Sequence, residues 1–142
     1  MRKILVAIDG SEAALRAVQF AAEQLKVVPA THLHVLTVLP PLRVYGKIEV
    51  FVGEQHMHEL AALETRAVLD AAKEQLTGLL DRVELEALEG DPAEIIARRA
   101  TELGCESIVM GTHGRGRLGS LVLGSVAQHV VHRSTVPVTL IR

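Results

Sequence analysis

Short apolar runs alternate along the chain with longer segments in which apolar residues recur every three to four positions. The first run, residues 4–8, has no polar member, which is typical of a strand buried on both faces of a parallel sheet. Residues 83–88 instead alternate apolar and acidic positions, with Leu88 as the exception, which indicates a strand with one exposed side at a sheet edge. The pattern predicts strands over residues 4–8, 33–39, 83–88, 107–110 and 136–141.

The longer segments predict four helices, over residues 12–27, 54–80, 92–103 and 121–132. Ser11 is the expected N-cap of the first helix. Asp91 and Pro92 fit the N-cap and first helical positions of the third, with Glu94 completing a capping box, and Gly104 ends it. The second helix follows a poorly patterned loop over residues 40–53. Its predicted apolar stripe drifts along Leu60, Leu63, Ala67, Ala71 and Gln75.

Strands and helices therefore alternate strictly along the chain. This order predicts right-handed crossovers and an open, mainly parallel sheet with helices on both faces. No repeat or linker divides the sequence, so we expect one domain over residues 1–142.

Composition excludes several classes of partner. Hydrophobic residues make up 49% and charged residues 23% of the 142 residues, and 15 basic against 17 acidic side chains give a net charge of −2. This balance offers no general attraction to nucleic acid or to an anionic membrane, and 2% aromatic residues provide no base-stacking surface. No apolar stretch reaches membrane-spanning length. The lone cysteine, Cys105, and the lack of a secretory signal pattern predict a cytoplasmic protein.

Two polar segments follow predicted strands, where open parallel sheets bind their ligands. Asp9-Gly10-Ser11 follows the first strand, and a glycine-rich stretch over residues 111–119 follows the fourth. Glycine allows backbone amides to approach an anion, and a helix N-terminus adds partial positive charge. Ser125 adds a hydroxyl, whereas Arg115 and Arg117 fit either phosphate contact or solvated surface charge.

Several standard sites do not fit this sequence. Residues 114–119 spell G-x-G-x-x-G, but they follow the fourth strand and lack the acid that a dinucleotide fingerprint places about 20 residues later. Residues 119–125 have the frame of a phosphate-binding Walker loop with serine in place of its lysine. His56 and His58 are two apart, whereas a helical metal pair prefers a spacing of four. No recognisable catalytic set is present.

The spacing Gly111-x2-Gly114-x9-Gly124-Ser125 resembles the ATP-binding motif of the universal stress protein family. The resemblance extends over the whole chain. The blocks that carry it are residues 6–11, residues 90–93, and residues 123–127 with Pro137-Val138.

This resemblance implies a Rossmann-like fold, a five-stranded parallel sheet in the order 3-2-1-4-5, that binds ATP or AMP. It places Asp9 near the adenosine and Val38 against the adenine, with Val35 as the rival valine. It assigns the phosphates to Gly111, Gly114, Gly124 and Ser125, with Arg115 and Val126 as flanking contacts. Mg or Mn would be bound through the phosphates. It also implies a homodimer formed through the last strand, residues 136–141.

Three functions are compatible with these residues. The first is a homodimeric, nucleotide-binding stress-response or regulatory protein with little or no catalysis. The second is an enzyme, either a weak ATPase or a nucleotide transferase. The third is an interaction module that keeps the fold without the nucleotide. Asp9 is the only carboxylate expected near the site, so any hydrolysis should be slow.

Overall fold

A computed structural model describes residues 1–41, 53–114 and 122–142, with the side chain of Glu54 excepted. Most of the two predicted loops, over residues 40–53 and 111–119, therefore lies outside the described residues. The strands found are β1 (Arg2–Ile8), β2 (Thr31–Leu39), β3 (Val83–Glu89), β4 (Ser107–Gly111) and β5 (Val138–Ile141). The helices are α1 (Glu12–Val27), α2 (Glu54–Gln75), α3 (Pro92–Glu102) and α4 (Ser125–Arg133), with a 3-10 turn at Leu80–Arg82.

The strands form one parallel sheet in the order β3-β2-β1-β4-β5. This confirms both the predicted fold class and the edge position of β3. Strand β1 is central, and its Val6 lies opposite Val35 of β2 and Val109 of β4. The order of the strands reverses between β1 and β4, which is where a ligand crevice is expected.

Helices cover both faces of the sheet. Ile4, Val6 and Ile8 of β1 pack beneath α1 and α2, whereas Leu5 and Ala7 pack beneath α3 and α4. Successive strand residues point to opposite faces, so every residue of this run is buried. The absence of polar residues from the run is therefore explained by burial on both sides.

Two predicted helix starts are confirmed. The Ser11 hydroxyl accepts a hydrogen bond from the Ala14 amide at 3.1 Å and caps α1. Asp91 accepts one from the Glu94 amide at 2.9 Å and caps α3, with Pro92 in the first turn. Each cap satisfies an amide that the helix itself leaves free.

Helix α2 differs from its prediction in both length and buried face. It ends at Gln75 rather than at residue 80, and Gly78 beyond it adopts the left-handed φ of +83° that stops a helix. Leu60 and Leu63 of the predicted stripe are 48% and 63% exposed. The buried face instead consists of Val68 and Ala72, continued four residues later by the C-cap residue Leu76.

The last helix and strand both start later than predicted. Helix α4 begins at Ser125 rather than at residue 121, with Gly124 as its N-cap, so the final glycine-serine pair lies at the helix N-terminus. Strand β5 begins at Val138 rather than at residue 136. Before it, the Ser134 hydroxyl bonds both the amide and the carbonyl of Val136, at 3.1 and 2.7 Å, which holds a local turn.

A group of ionisable side chains joins β2, β3 and α3, and we call it the charge cluster: His34, Glu84, Glu86, Arg99 and Glu102. The buried His34 ring has its Nδ1 3.2 Å from Glu84 and its Nε2 2.7 Å from Glu86. Arg99 donates two hydrogen bonds to Glu86, at 2.9 and 3.1 Å, and one to Glu102 at 2.9 Å. The cluster therefore fastens the edge strand β3 to its neighbours.

The charge cluster also changes the acidity of Glu86. Burial by itself would raise the pKa of this carboxyl, but the hydrogen bonds and charges of His34 and Arg99 outweigh burial and hold the pKa below its ordinary value. The folded state therefore favours the ionised carboxylate.

Candidate functional site

A cavity of about 410 Å³ opens at the carboxyl ends of β1, β2 and β4, beside the start of α4. Seven of the eight residues that the sequence proposed for nucleotide binding line it, although they come from four separate segments of the chain. Arg115, the eighth, lies outside the described residues. The seven are Asp9, Val38, Gly111, Gly114, Gly124, Ser125 and Val126.

The two carboxylate oxygens of Asp9 have different neighbours. Its Oδ1 accepts a hydrogen bond from the Ser11 amide at 2.9 Å, which fixes the turn between β1 and α1. Its Oδ2 lies beside Gly114, 2.9 Å from the position that a Cβ on that glycine would occupy. One carboxylate oxygen is thus held by the turn while the other borders the glycine loop.

The glycines of the motif have different neighbours. A Cβ on Gly111 would lie 2.8 Å from Ala13 Cβ and 3.0 Å from the Ala14 amide nitrogen, so this glycine allows α1 to pack closely against β4. Among the described residues, a Cβ on Gly114 would meet the end of the Asp9 side chain alone. Gly111 therefore has a packing role against α1 that the sequence did not predict, whereas Gly114 has no such backbone contact within the described part of the chain.

Backbone hydrogen bonds fix the segment after β4 relative to α4 and β5. The Gly124 amide donates to the Thr112 carbonyl at 2.8 Å, and the Thr112 amide donates to the Ile141 carbonyl at 2.8 Å. Among the described residues, α4 has no side chain capping its N-terminus. The first amides of α4 therefore border the cavity with the partial positive charge of a helix start.

The two valines proposed for the base lie in different environments. Val38 lines the cavity near the end of β2, whereas Val35 is fully buried in the core between the sheet and the helices α1 and α2. Apolar side chains that the sequence did not assign to the site complete the walls, and the drifting pattern of α2 gave no signal for the one that α2 contributes. These are Val68 from α2, Ile96 from α3 and Met110 from β4.

The described lining carries little positive charge. Its acidic side chains are Asp9 and Glu64, so the expectation that Asp9 is the only carboxylate near the site is wrong. No lysine or arginine belongs to the part of the lining that the structure describes. No group of three metal-ligating side chains occurs among residues 1–41, 53–114 and 122–142. Among the described residues, an anion in this cavity would therefore be bound by backbone amides and the N-terminus of α4.

Comparison with known proteins agrees with the fold. A family model described as the universal stress protein family matches residues 1–142. A universal stress protein of Thermus aquaticus is 36% identical over 143 residues, which covers 99% of this chain and 98% of that protein. None of the helices in the described ranges combines the length and the apolar character needed to span a bilayer.

Solved structures give the same result. A universal stress protein from Archaeoglobus fulgidus in complex with dAMP is 25% identical with a TM-score of 0.62, covering 100% of this chain and 98% of that one. A universal stress protein in complex with cAMP is 23% identical with a TM-score of 0.66, covering 99% and 97%, a likeness that concerns the fold alone. On the whole-chain family match and the Thermus relative, this chain belongs to the universal stress protein family.

Proposed function

We propose that this protein binds an adenine nucleotide, ATP or AMP, in the cavity at the strand ends, and acts as a homodimeric regulatory protein of the stress response. The observation that carries the proposal is the convergence of seven predicted residues on one cavity. The dAMP complex of the Archaeoglobus relative supports the choice of an adenine nucleotide.

The order of the strands suggests how the nucleotide lies. Val38 is on β2, Asp9 follows β1, and Gly111 ends β4 with Gly114 after it, so the three positions stand in a row across the carboxyl ends of the strands. Neighbouring strands are about 4.8 Å apart, so the row spans about 10 Å. We place the base at Val38, the ribose at Asp9, and the phosphates at the glycine loop and α4.

Phosphate binding would depend on main-chain donors. Glycine amides and the N-terminus of α4 provide partial positive charge, and the exposed Ser125 provides a hydroxyl. Because Asp9 and Glu64 bring negative charge, we propose that a triphosphate enters with Mg or Mn on its phosphates, assisted by Arg115.

Catalysis is expected to be slow or absent. Phosphoryl transfer needs a positioned water and an acid that holds the metal near the γ-phosphate. The Asp9 carboxylate is fixed by the Ser11 amide at the position proposed for the ribose. A weak ATPase remains the alternative function, with Asp9 as the residue on which turnover would depend.

We propose that the homodimer forms through β5. This strand pairs with β4 on one side and is at the end of the described sheet on the other. Its residues are only partly buried, and unpaired edges with apolar side chains favour pairing with another strand.

Calorimetry with ATP and AMP, combined with mass spectrometry of ligand released from freshly purified protein, tests the proposal. We expect binding of an adenine nucleotide with no turnover above background. Turnover that disappears in Asp9→Ala would support the ATPase instead. Failure of every adenine nucleotide to bind would contradict the proposed function and favour an interaction module.

A further inference from the structure

Thr37, near the end of β2, has a side chain whose hydrogen-bonding capacity the fold leaves unused. It is 5% exposed and lines the cavity, and its hydroxyl makes no hydrogen bond within the part of the chain that the structure describes. Its Oγ1 is not one of the fully enclosed unpartnered atoms, which include Thr31 Oγ1, so the oxygen reaches the cavity and can bond a ligand there.

Other hydroxyls around the cavity differ from Thr37. The Ser11 hydroxyl caps α1, the Thr65 hydroxyl donates to the Ala61 carbonyl at 2.8 Å, and the Thr112 hydroxyl lies 2.8 Å from His113 Nδ1. Ser125 is exposed and available to water. Among the described residues, Thr37 alone in this set is both buried and without a partner.

The position of Thr37 identifies the part of a nucleotide that it would contact. It lies opposite Ile8 of β1 and directly before Val38, the residue proposed to touch the base. The glycine loop follows β4, two strands away across the sheet, about 10 Å at ordinary strand spacing. The phosphates are therefore too distant, which leaves the base and the ribose. Of these two, the base is the one that we place at β2, the strand that carries Thr37.

We propose that Thr37 Oγ1 hydrogen-bonds the polar edge of the bound nucleobase and contributes to base recognition. This inference rests on the proposed adenine-nucleotide function and adds a specific contact to it. A threonine hydroxyl can both donate and accept, so it suits an edge that carries ring nitrogens and an amino group.

The isosteric variant Thr37→Val tests the contact, because it removes the hydroxyl and keeps the branched shape. We expect its affinity for AMP and for ATP, measured by calorimetry, to fall about two- to tenfold, the usual range for one neutral hydrogen bond. Its denaturant midpoint should stay unchanged or rise, because an unpartnered hydroxyl has been removed. Thr37→Ser keeps the hydroxyl and should restore most of the affinity.

Thr31→Val is the matched control on the same strand. Thr31 is fully buried with an unpartnered Oγ1, but it lies at the opposite end of β2, six residues or about 20 Å from Thr37. Its replacement should also leave the midpoint unchanged or raised. Unlike Thr37→Val, it should leave the affinity for AMP at the wild-type value.

The outcomes separate this inference from the proposed function. Wild-type protein that binds neither AMP nor ATP would overturn both. Wild-type binding that Thr37→Val retains in full would overturn only the Thr37 contact. A loss for AMP that disappears with dAMP would assign the hydroxyl to the ribose 2′-OH and overturn the assignment to the base.

Discussion

The cavity and the charge cluster both contain polar side chains at the sheet. They differ in whether those side chains are hydrogen-bonded to other side chains of the same chain. In the cluster, the ring nitrogens of His34 and the guanidinium of Arg99 are paired with carboxylates of the same chain. In the cavity, Thr37 and Ser125 make no side-chain hydrogen bond within the described residues. Internally paired groups hold strands together, whereas unpaired groups at strand ends are available to a ligand.

The largest expected effect comes from filling the cavity. Gly114→Val should lower the affinity for ATP at least about a hundredfold, which equals about 2.7 kcal/mol, because the new side chain occupies the phosphate space and displaces Asp9 Oδ2. Gly114 does not have a positive φ, so valine adds no left-handed strain there, and the free energy of unfolding should change less than in Gly111→Ala. Calorimetry and denaturant unfolding measure the two quantities.

Gly114→Ala is the graded control for this change. A lone Cβ would lie 2.9 Å from Asp9 Oδ2, at the free end of that side chain, so it should weaken binding less than valine does. If Gly114→Val bound ATP with wild-type affinity, the glycine loop would not be the phosphate site.

Gly111→Ala should lower the stability and leave nucleotide binding intact, the reverse of Gly114→Val, although the two glycines are only three residues apart. Its Cβ would collide with Ala13 and the Ala14 amide, which cannot move without shifting α1. We expect the free energy of unfolding to fall by about 1–3 kcal/mol, the usual cost of overpacking. The protein that remains folded should still bind nucleotide, because the added methyl group points at α1 and leaves the Gly111 backbone in the cavity wall. Wild-type stability with lost binding would show instead that Gly111 contacts the ligand.

The sequence predicted the fold well because its strongest signals are also the physical causes of the fold. The apolar run at residues 4–8 is uninterrupted because β1 is covered on both faces. Ser11 and Asp91 were recognisable because caps depend on residue type and local spacing alone. Motif spacing likewise selected residues that meet at one cavity.

Features that depend on long-range packing were not predictable. The buried face of α2 was assigned to Leu60 and Leu63, yet Val68, Ala72 and Leu76 face the sheet. The packing role of Gly111 depends on α1, which lies nearly 100 positions earlier in the chain. The charge cluster joins His34 to residues 50 and more positions away, and local spacing carries no sign of such a pairing.

The smallest expected effect comes from the charge cluster and depends on pH. The fold holds the pKa of Glu86 below its unfolded value, so the ionised carboxylate stabilises the folded state above the unfolded pKa, near 4.3 for glutamate. This contribution is lost as the pH falls through the lower, folded-state pKa. Glu86→Gln should therefore be less stable than wild type by about 1 kcal/mol near neutral pH.

The difference between wild type and Glu86→Gln should shrink as the medium is acidified, because protonation removes from the wild type the same charge that glutamine lacks. Denaturant unfolding from neutral to acidic pH measures it, with the exposed Glu59→Gln as a matched control that should follow the wild type. Nucleotide affinity at neutral pH should be equal in all three proteins, since Glu86 does not line the cavity. A loss of affinity in Glu86→Gln would mean that the cluster and the cavity are energetically coupled. It would contradict the claim that the cluster serves stability alone and the cavity serves binding.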